Sequence, residues 1–419
     1  MKKLIHIFIF FALSISLRAQ VVNDTVQLGA GYVNQAFYQL SSQSKTHAAF
    51  NGADGWDIGF QTTLMDASII SDENSIEVYK VPNADSSDYA TLDVSGYSSW
   101  PQLYNSDTSW SLGAFNTGEN LANFYFGWGT YDFNSHEVFG DSLFVLVKGG
   151  DVYKFWIRKK TSYGEYLIRF TNVTAGGPDV DVTIAAAGYA TKNFVYLNLD
   201  NPTSILDFEP ASSAWDLLFT HYFTYIPYAG VYPVTGVFSN SGVTVAKAYP
   251  VDLSTVYYPN YLSMLSTNLT AIGWDWKSFD MYTFQYSIVD SLIYFIKAKD
   301  NYIYSLQFTG FNDTTGTIYF KTENLGTGIN EVDGNLAQAI AYPNPSGGQT
   351  TIVYNAKANA KVSAQLFDVS GREVMETSFE AYQGLNHETL SFPALSQGMY
   401  HLVLNAGGHK INLKVTVAQ

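Results

Sequence analysis

The stretch Trp215-Asp216-Leu217-Leu218-Phe219-Thr220-His221-Tyr222 is the key to the fold, because an earlier segment, Trp56-Asp57-Ile58-Gly59-Phe60, repeats its pattern. Two further pairs of landmarks follow in the same order. Asp141-Ser142-Leu143 corresponds to Asp290-Ser291-Leu292, and Gly127-Trp128 corresponds to Gly273-Trp274. Three matched landmarks at nearly constant separation indicate a duplicated unit of roughly 150 residues, which is a normal domain size.

The composition predicts an all-β protein. The chain has 419 residues, of which 47% are hydrophobic and 14% charged, so it can form more than one sizeable core. Its aromatic share of 16%, with 31 Tyr and 28 Phe, is high, and these residues favour half-buried strands over helices. The sequence shows almost no sustained 3.6-residue period, so we expect no long helices.

Charge and cysteine content exclude several classes of function. With 22 Lys and Arg against 37 Asp and Glu, the formal charge is −15, which repels nucleic acids and anionic membranes. There is no cysteine, and hence no disulfide, thiolate metal site or cysteine nucleophile. We therefore expect neither a nucleic-acid partner nor a thiol-based active site.

The N-terminus has the pattern of a secretory signal peptide, residues 1–19. A basic start at Met1-Lys2-Lys3 precedes an apolar run from Leu4 to Leu17, and cleavage is expected after Ala19. The alternative is a membrane anchor, but the apolar run of about 14 residues falls short of the ~20 that span a bilayer. No later segment is long and apolar enough for a span.

Composition shifts divide the rest of the chain. We predict a first β unit over residues 20–175, a Gly- and Ala-rich linker over 176–193, and a second β unit over 194–325. A further linker, 326–340, leads to a C-terminal unit over 341–419. In that unit Ile411, Leu413, Val415 and Val417 alternate with polar residues, as Val362, Ala364 and Leu366 do, which predicts an Ig-like β-sandwich.

The C-terminal unit resembles the type A C-terminal sorting domain of the type IX secretion system. The resemblance implies export across the outer membrane by the type IX translocon, removal of the domain by its sorting protease, and a surface-attached or released product. It rests on an ordered set of motif residues: Tyr342, Pro343, Asn344, Pro345, Asp368, Gly371, Arg372, Gly398, Tyr400, Lys410 and Lys414.

The two upstream units resemble the HmuY-like family of surface haem-binding proteins. In the second unit the resemblance rests on the Trp-Asp-x-x-Phe element at Trp215 and on the hairpin Tyr304-Ser305-Leu306-Gln307-Phe308-Thr309-Gly310-Phe311. The first unit keeps the same element at Trp56. The resemblance implies two tandem ligand-binding units, with haem as the candidate ligand and with no cofactor otherwise indicated.

The histidines limit the haem hypothesis. Family members are described as holding haem iron between two histidines, and neutral imidazole suits that role. The second unit has only His221, so it cannot supply both ligands, while His47 and His136 of the first unit leave a pairing open. A lone histidine beside aromatic strand residues is more often a half-buried structural residue than a ligand. The candidate ligand-binding residues are His221, Trp215, Tyr222, His47 and His136, although core packing explains the repeated Trp better than ligand contact does.

Known catalytic signatures are absent from the sequence. It has no Gly-x-Ser-x-Gly elbow, no His-Glu-x-x-His and no P-loop, so we predict a non-enzymatic protein. The oxygen-rich stretches 51–57 and 179–181 lack EF-hand spacing and are interpreted as turns, so no metal site is predicted. The leading hypothesis is capture of haem or another flat hydrophobic nutrient. The alternative is a surface adhesin or glycan-binding module, and a hydrolase would need paired carboxylates that the sequence does not place.

Overall fold

The computed structural model describes residues 21–50, 55–64, 66–327, 336–342, 344–356, 358–392, 395–406 and 409–418. The chain forms two compact units, residues 1–328 and 329–419. Both are built from antiparallel strands, which confirms the all-β prediction. The predicted signal peptide lies outside the described residues.

The larger unit contains twenty-three strands within the described ranges. They are β1 Val21–Gln27, β2 Asn34–Tyr38, β3 Lys45–Ala49, β4 Ile58–Gln61, β5 Ile69–Ser71, β6 Glu77–Lys80, β7 Gln102–Leu103, β8 Gly129–Asp132, β9 Glu137–Gly140, β10 Leu143–Lys148, β11 Asp151–Lys160, β12 Tyr166–Asn172, β13 Val180–Ile184, β14 Phe194–Leu197, β15 Ile205–Leu206, β16 Leu217–Ile226, β17 Gly230–Ser239, β18 Thr244–Ala248, β19 Lys277–Asp280, β20 Gln285–Ile288, β21 Ile293–Lys297, β22 Tyr302–Asn312 and β23 Thr317–Thr327. Short 3₁₀ helices lie at Ala30–Tyr32, Ser86–Thr91, Tyr97–Ser99, Ala114–Asn116, Leu121–Asn123, Ala186–Tyr189, Ser212–Ala214 and Tyr258–Met264.

These strands form two similar lobes. Lobe 1, residues 55–209, contains one sheet in the order β13-β12-β11-β10-β6-β7, with β8 and β9 beside it, and a second in the order β15-β14-β4-β5. Its core includes Phe60, Trp128 and Phe155. Lobe 2, residues 21–50 and 215–327, contains one sheet in the order β1-β23-β22-β21-β18 and a second in the order β17-β16-β2-β3. Its core includes Phe219, Trp276 and Phe308.

The two sequence repeats exchange their first three strands. Within each lobe the long hairpin is followed by an edge strand, β13 next to β12 in lobe 1 and β1 next to β23 in lobe 2. The strand that begins with the Trp-Asp element also has a matching partner, since β4 pairs with β14 and β16 pairs with β2. Strands β1–β3 of the first repeat thus complete lobe 2, and β13–β15 of the second repeat complete lobe 1.

The repeated aspartate explains how each exchanged segment is fixed. Asp57 accepts hydrogen bonds from the Leu199 N–H at 2.6 Å and from the Lys148 ammonium at 2.9 Å. Asp216 accepts from the N–H groups of Leu40 and Lys299, both at 2.8 Å. Both carboxylates are fully buried. In each lobe one aspartate therefore holds the exchanged strand and the end of the hairpin together.

One of the two predicted tryptophan pairs occupies equivalent positions in the two lobes, and the other does not. Trp56 and Trp215 are buried and each meets an aromatic ring edge-on, Tyr196 at 4.9 Å and Phe37 at 5.0 Å. The predicted match of Trp128 with Trp274 differs from the structure. Trp128 and Trp276 are the fully buried indoles that precede β8 and β19, whereas Trp274 is half-buried. The landmark is therefore shifted by two residues.

The domain boundaries also differ from the predicted tandem arrangement. The segment 176–193, predicted as a linker, contains β13 and a 3₁₀ helix, and Ile184 and Ala186 lie in the core of lobe 1. Its glycine-rich start is only the turn between β12 and β13. The predicted units 20–175 and 194–325 are not independent bodies, because each lobe contains strands of both. In the predicted linker 326–340, β23 runs to Thr327 and the next strand begins at Leu336.

The C-terminal unit is a β-sandwich, with strands β24 Leu336–Tyr342, β25 Gln349–Ala356, β26 Ala360–Phe367, β27 Glu373–Ala381, β28 Gly384–Ser391, β29 Gly398–Ala406 and β30 His409–Val417. One sheet has the order β24-β25-β28 and the other β27-β26-β29-β30. Val362, Ala364, Leu366, Val415 and Val417 are buried in the shared core. The predicted alternation of buried and exposed positions is thus present on β26.

Candidate functional site

A cleft lies between the two lobes and is lined by residues of both. It encloses about 720 Å³, part of it open to solvent, and about 60 Å³ is wide enough for a water molecule to move in. Lobe 1 contributes the loop around Trp110 and the ends of β5 and β14, and lobe 2 contributes β2, β16 and β17. The cleft is therefore narrow and depends on both lobes.

Many of the residues that line the cleft are aromatic. Trp110 lies at the centre, with its ring 6.2 Å from that of Trp215, 5.9 Å from Phe194 and 5.7 Å from Phe238. Its indole N–H donates to the Ser239 carbonyl at 2.8 Å, which ties the lobe 1 loop to lobe 2. Trp56 also lines the cleft. The repeated tryptophans thus face the space between the lobes, because the inner faces of the sandwiches are filled by other side chains.

Several buried polar atoms along this cleft have no hydrogen-bond partner. They are Trp56 Nε1, Ser71 Oγ, Asp72 Oδ2 and Tyr222 Oη, each in a residue that lines the cavity. Trp215 Nε1 also lacks a regular hydrogen bond, although its indole lies close enough to Glu209 to favour the charged carboxylate. Buried polar groups are normally paired, so a concentration of unpaired ones points to a ligand or to ordered water.

Carboxyl groups line one side of the cleft. Asp72 is 1% exposed, and its Oδ1 accepts from the backbone N–H of Asn74 at 2.9 Å. Glu73 stands at the rim and accepts from the N–H groups of Asn105 at 2.6 Å and Phe223 at 3.1 Å. Burial raises the pKa of Asp72 well above its usual range and that of Glu73 to about 7. Burial therefore opposes the ionisation of both carboxyl groups in the empty cleft.

Glu209 forms a second buried acidic position. It accepts from the N–H groups of Asn193 at 3.0 Å and Phe194 at 3.1 Å, and from the Tyr196 hydroxyl at 2.7 Å. Burial raises the pKa of Glu209 to about 7, although these three donors oppose the rise. Glu209 is fully hydrogen-bonded, so its role is to fix the end of β14 beside the cleft.

His221 links the two lobes. Asn74 Nδ2 donates to the His221 carbonyl at 3.0 Å and to Asp72 Oδ1 at 3.1 Å, so Asn74 Oδ1 must accept from His221 Nδ1 at 2.6 Å. The imidazole is stacked on Tyr32 at 5.3 Å. Burial, with the nearby charge of Lys277, lowers the pKa of His221 to about 4. The ring is therefore neutral, with its free lone pair on Nε2.

The structure brings together three of the five predicted ligand-binding residues. His221, Trp215 and Tyr222 all line the cleft. His47 lies on the edge strand β3 of lobe 2, and His136 lies in the turn between β8 and β9 of lobe 1, where its Nδ1 contacts the Tyr131 hydroxyl at 2.7 Å. Neither lines the cleft. No group of three or more metal-binding side chains occurs within the described ranges.

Sequence reasoning did not identify the acidic side of the site. Asp72, Glu73 and Glu209 lie in turns, where carboxylates are common and carry no signal of burial. The repeat gives an indirect signal for the position of Asp72. The Asp72 N–H donates to the Asp57 carbonyl and the Asn240 N–H donates to the Asp216 carbonyl, so Asp72 occupies the position of Asn240 in the repeat.

The motif residues of the C-terminal unit form two compact arrangements. Asn344 bridges to β30, donating to the Lys414 carbonyl at 2.7 Å and accepting from the Thr416 N–H at 2.8 Å. Asp368 accepts from Ser370 and from the Arg372 guanidinium at 3.0 Å, and these bonds lower the pKa of Asp368 to about 2. Gly371 has φ 83°, which glycine adopts without strain. These residues stabilise the turns that shape the unit.

The remaining motif residues divide by exposure. Tyr400 is buried and its hydroxyl donates to the Ser396 carbonyl at 2.8 Å, while Gly398 begins β29. Lys410 and Lys414 are exposed on β30, at the edge of the four-stranded sheet. Tyr342 ends β24, Pro345 is exposed, and Pro343 lies outside the described residues.

Comparison with known proteins identifies the C-terminal unit. Residues 340–418 match the secretion system C-terminal sorting domain family. No curated protein matches the chain. Among solved structures, dimeric latent PorU from Porphyromonas gingivalis is 10% identical with a TM-score of 0.18, over 84% of this chain and 31% of PorU. A biofilm associated protein BSP domain is 8% identical with a TM-score of 0.18, over 100% of this chain and 84% of that domain.

The chain thus spans about a third of PorU, and similarity to HmuY-like proteins is not among these findings. Helices in the described part of the chain are all too short to cross a lipid bilayer. The protein carries, at residues 340–418, a type IX secretion C-terminal sorting domain, and it is exported across the outer membrane to the cell surface or the extracellular space.

Proposed function

We propose that this exported protein is a non-enzymatic ligand-binding protein and that the cleft between its lobes receives the ligand. The proposal rests mainly on the set of unpaired buried polar atoms, Trp56 Nε1, Ser71 Oγ, Asp72 Oδ2 and Tyr222 Oη, in residues that line a cavity rich in aromatic side chains. Binding pockets typically combine apolar walls with a few such polar groups that orient the ligand. A ligand that satisfies them would repay their desolvation.

The free space supports a small ligand or a small group of a larger one. About 60 Å³ of the cleft is wide enough for a water molecule to move in. A porphyrin is larger than this space, and the cleft offers one imidazole, that of His221. The geometry therefore gives haem, the ligand implied by the HmuY-like resemblance, less support than a compact ligand.

The experiment is a ligand screen on the mature chain, with tryptophan fluorescence and thermal unfolding as the two measurements. Because Trp56, Trp110 and Trp215 surround the cleft, a bound ligand should change their emission and raise the melting temperature. Haem is included and followed by its Soret band. If compact aromatic and amine ligands change neither emission nor melting temperature at millimolar concentration, the proposal is rejected.

A second candidate, surface adhesion through glycans, is favoured by a separate observation. Two neighbouring hairpins of lobe 2 expose aromatic side chains. Tyr225 and Tyr228 of the β16–β17 hairpin are 70% and 106% exposed, and Tyr282 and Phe284 of the β19–β20 hairpin are 96% and 71% exposed. Flat exposed rings suit stacking on sugars. Binding on a glycan array that is lost in Tyr228→Ala and Tyr282→Ala, with the cleft unchanged, would support this candidate.

A further inference from the structure

We infer that the group held in the cleft is a protonated primary amine. This inference rests on the proposed function, because it names the ligand chemistry of the same cleft. It follows from the kind of polar group that the cavity leaves unpaired and from the described lining residues, which include no Lys or Arg.

The first support is the carboxyl oxygen that no protein donor reaches. Asp72 Oδ2 has no hydrogen-bond partner, while Asp72 Oδ1 is taken by Asn74. The residue is 1% exposed and lines the cleft, so bulk solvent does not satisfy it. When Asp72 is ionised, the unmet requirement is for a hydrogen-bond donor, and a charged donor forms the strongest bond with a carboxylate.

The second support is the surrounding charge. Asp72, Glu73, Asp107 and Glu209 all line the cavity, and its described lining residues include no Lys or Arg. The Asp107 carboxylate accepts from the Thr224 hydroxyl, and Glu73 accepts from two backbone N–H groups, so neither is neutralised by a cation. An anionic ligand would be repelled, whereas a cation meets several carboxyl groups at once.

The third support is the aromatic wall. The rings of Trp56, Trp110, Trp215 and Tyr222 line the same cavity as the carboxyl groups. Aromatic faces attract ammonium groups, most strongly when water is excluded, by roughly 0.5–2 kcal/mol each. A neutral alcohol would gain the hydrogen bond but not this attraction.

The charge state of the empty cleft predicts how binding depends on pH. Burial raises the pKa of Asp72 and raises that of Glu73 to about 7. The nearby charges of Asp57 and Glu73 raise the pKa of Asp72 further, and the charge of Asp107 raises that of Glu73. On the lobe 2 side these carboxyl groups face His221, whose pKa of about 4 leaves it neutral, with Lys277 beyond it. An arriving cation favours the ionised carboxylates, so its binding releases protons and strengthens as pH rises from about 5.5 to 8.

The test compares three probes of nearly equal shape on the mature chain: 2-phenylethylamine, 2-phenylethanol and 3-phenylpropionate. Affinity is measured by calorimetry and tryptophan fluorescence at pH 5.5 and pH 8. We expect the amine to bind about tenfold tighter than the alcohol at pH 8, a smaller preference at pH 5.5, and no binding of the carboxylate. The matched variant is Asp72→Asn, which keeps the contact with Asn74 and removes the charge.

The outcomes separate this inference from the proposed function. In Asp72→Asn the preference for the amine should disappear while the alcohol binds as before. If the alcohol binds the native protein as tightly as the amine at pH 8, the cleft is a ligand site but the ammonium inference is overturned. If none of the three probes binds, both are overturned. The melting temperature of Asp72→Asn reports whether any loss of binding in this variant follows from unfolding alone.

Discussion

At the scale of single residues, Asp57 and Asp200 offer a direct test of what burial does to one ion pair. Both contact Lys148 Nζ, at 2.9 and 2.7 Å, but the Asp57 side chain is fully buried and that of Asp200 is 63% exposed. Asp57→Ala leaves the Leu199 N–H and the Ser75 hydroxyl without an acceptor, so we expect a loss of about 3–5 kcal/mol in the free energy of unfolding. Asp200→Ala should cost less than about 1 kcal/mol.

Urea unfolding of the two variants measures this difference. Equal losses in both would mean that Asp57 does not hold the exchanged strand β14 in place. Asp216→Ala is the corresponding change in lobe 2, where Leu40 and Lys299 lose their acceptor.

Tyr222 and Tyr294 form a matched pair for the cleft. Both are buried in lobe 2, but the Tyr294 hydroxyl donates to the Ile272 carbonyl at 3.2 Å and the Tyr222 hydroxyl has no partner. Tyr294→Phe should destabilise the fold by about 1 kcal/mol, whereas Tyr222→Phe should leave stability unchanged or raise it. Thermal unfolding of the free protein compares the two. A loss in Tyr222→Phe equal to that in Tyr294→Phe would show that the Tyr222 hydroxyl is paired within the fold.

Glu209 predicts a pH dependence of stability. Its pKa is about 7 in the folded protein and 4.5 when exposed, so the unfolded chain loses its proton first. The stabilising effect of the neutral group is complete below pH 4.5 and is lost as pH rises towards 7, by about 3 kcal/mol at most. His221 opposes this slope below pH 6.5, and Lys277, with a pKa of about 7, acts only at higher pH.

Because other groups titrate in the same range, the measurement is a difference between proteins. Free energies of unfolding between pH 4.5 and 7.5 should fall less steeply in Glu209→Gln than in the native chain. Parallel curves would mean that Glu209 is ionised in the folded protein throughout, as its three donors favour.

Sequence reasoning found the aromatic half of the candidate site and missed the acidic half. Trp215, Tyr222 and His221 follow the repeated Trp-Asp element, so the pattern itself drew attention to them. Asp72 and Glu73 become unusual only because β16 of the other lobe covers them, as the Glu73 contact with the Phe223 N–H shows. A contact across 150 residues of sequence leaves no local pattern.

At the scale of elements, alternation and turn residues predicted strands but not their partners. The exchanged segments are alike, since Phe37 and Tyr196 take equivalent positions beside Trp215 and Trp56. Segments that resemble each other this closely fit the sheet of either lobe, so periodicity cannot decide between adjacent and exchanged pairing. The connection between repeats decides it, and its residues read as a linker because glycine and alanine dominate the turn before β13.

The exchange predicts which fragments can fold. Residues 55–209 contain every strand of lobe 1 and its core, so this fragment should unfold cooperatively. Residues 21–173, which lie within the first unit predicted from the sequence (20–175), lack β13 and β14 and leave β1–β3 without their sheets. Thermal unfolding followed by near-UV circular dichroism compares the two. Cooperative unfolding of 21–173 together with a disordered 55–209 would contradict the exchanged arrangement.

At the scale of the whole molecule, export depends on a unit that contributes nothing to the candidate site. Every residue of the cleft lies between Gln35 and Leu269, and the sorting domain spans 340–418. A chain ending at residue 340 should therefore keep its ligand affinity and its unfolding free energy but accumulate in the periplasm. Delivery of this truncated chain to the surface would contradict the assigned role of the sorting domain.

Two neighbouring positions on β26 test whether the sorting domain acts as a folded body. Val362 is fully buried in its core, and Lys361 is exposed on the opposite face. Val362→Asp places an unpaired charge among apolar side chains and should unfold the domain, since such a change costs several kcal/mol. Lys361→Glu also makes the net charge more negative but should leave the fold intact.

Cell fractionation should find the Val362→Asp chain retained in the periplasm and the Lys361→Glu chain at the surface, because the motif turns at Asn344 and Asp368 keep their shape only in the folded sandwich. Normal export of Val362→Asp would show that the translocon reads the motif residues as a linear signal.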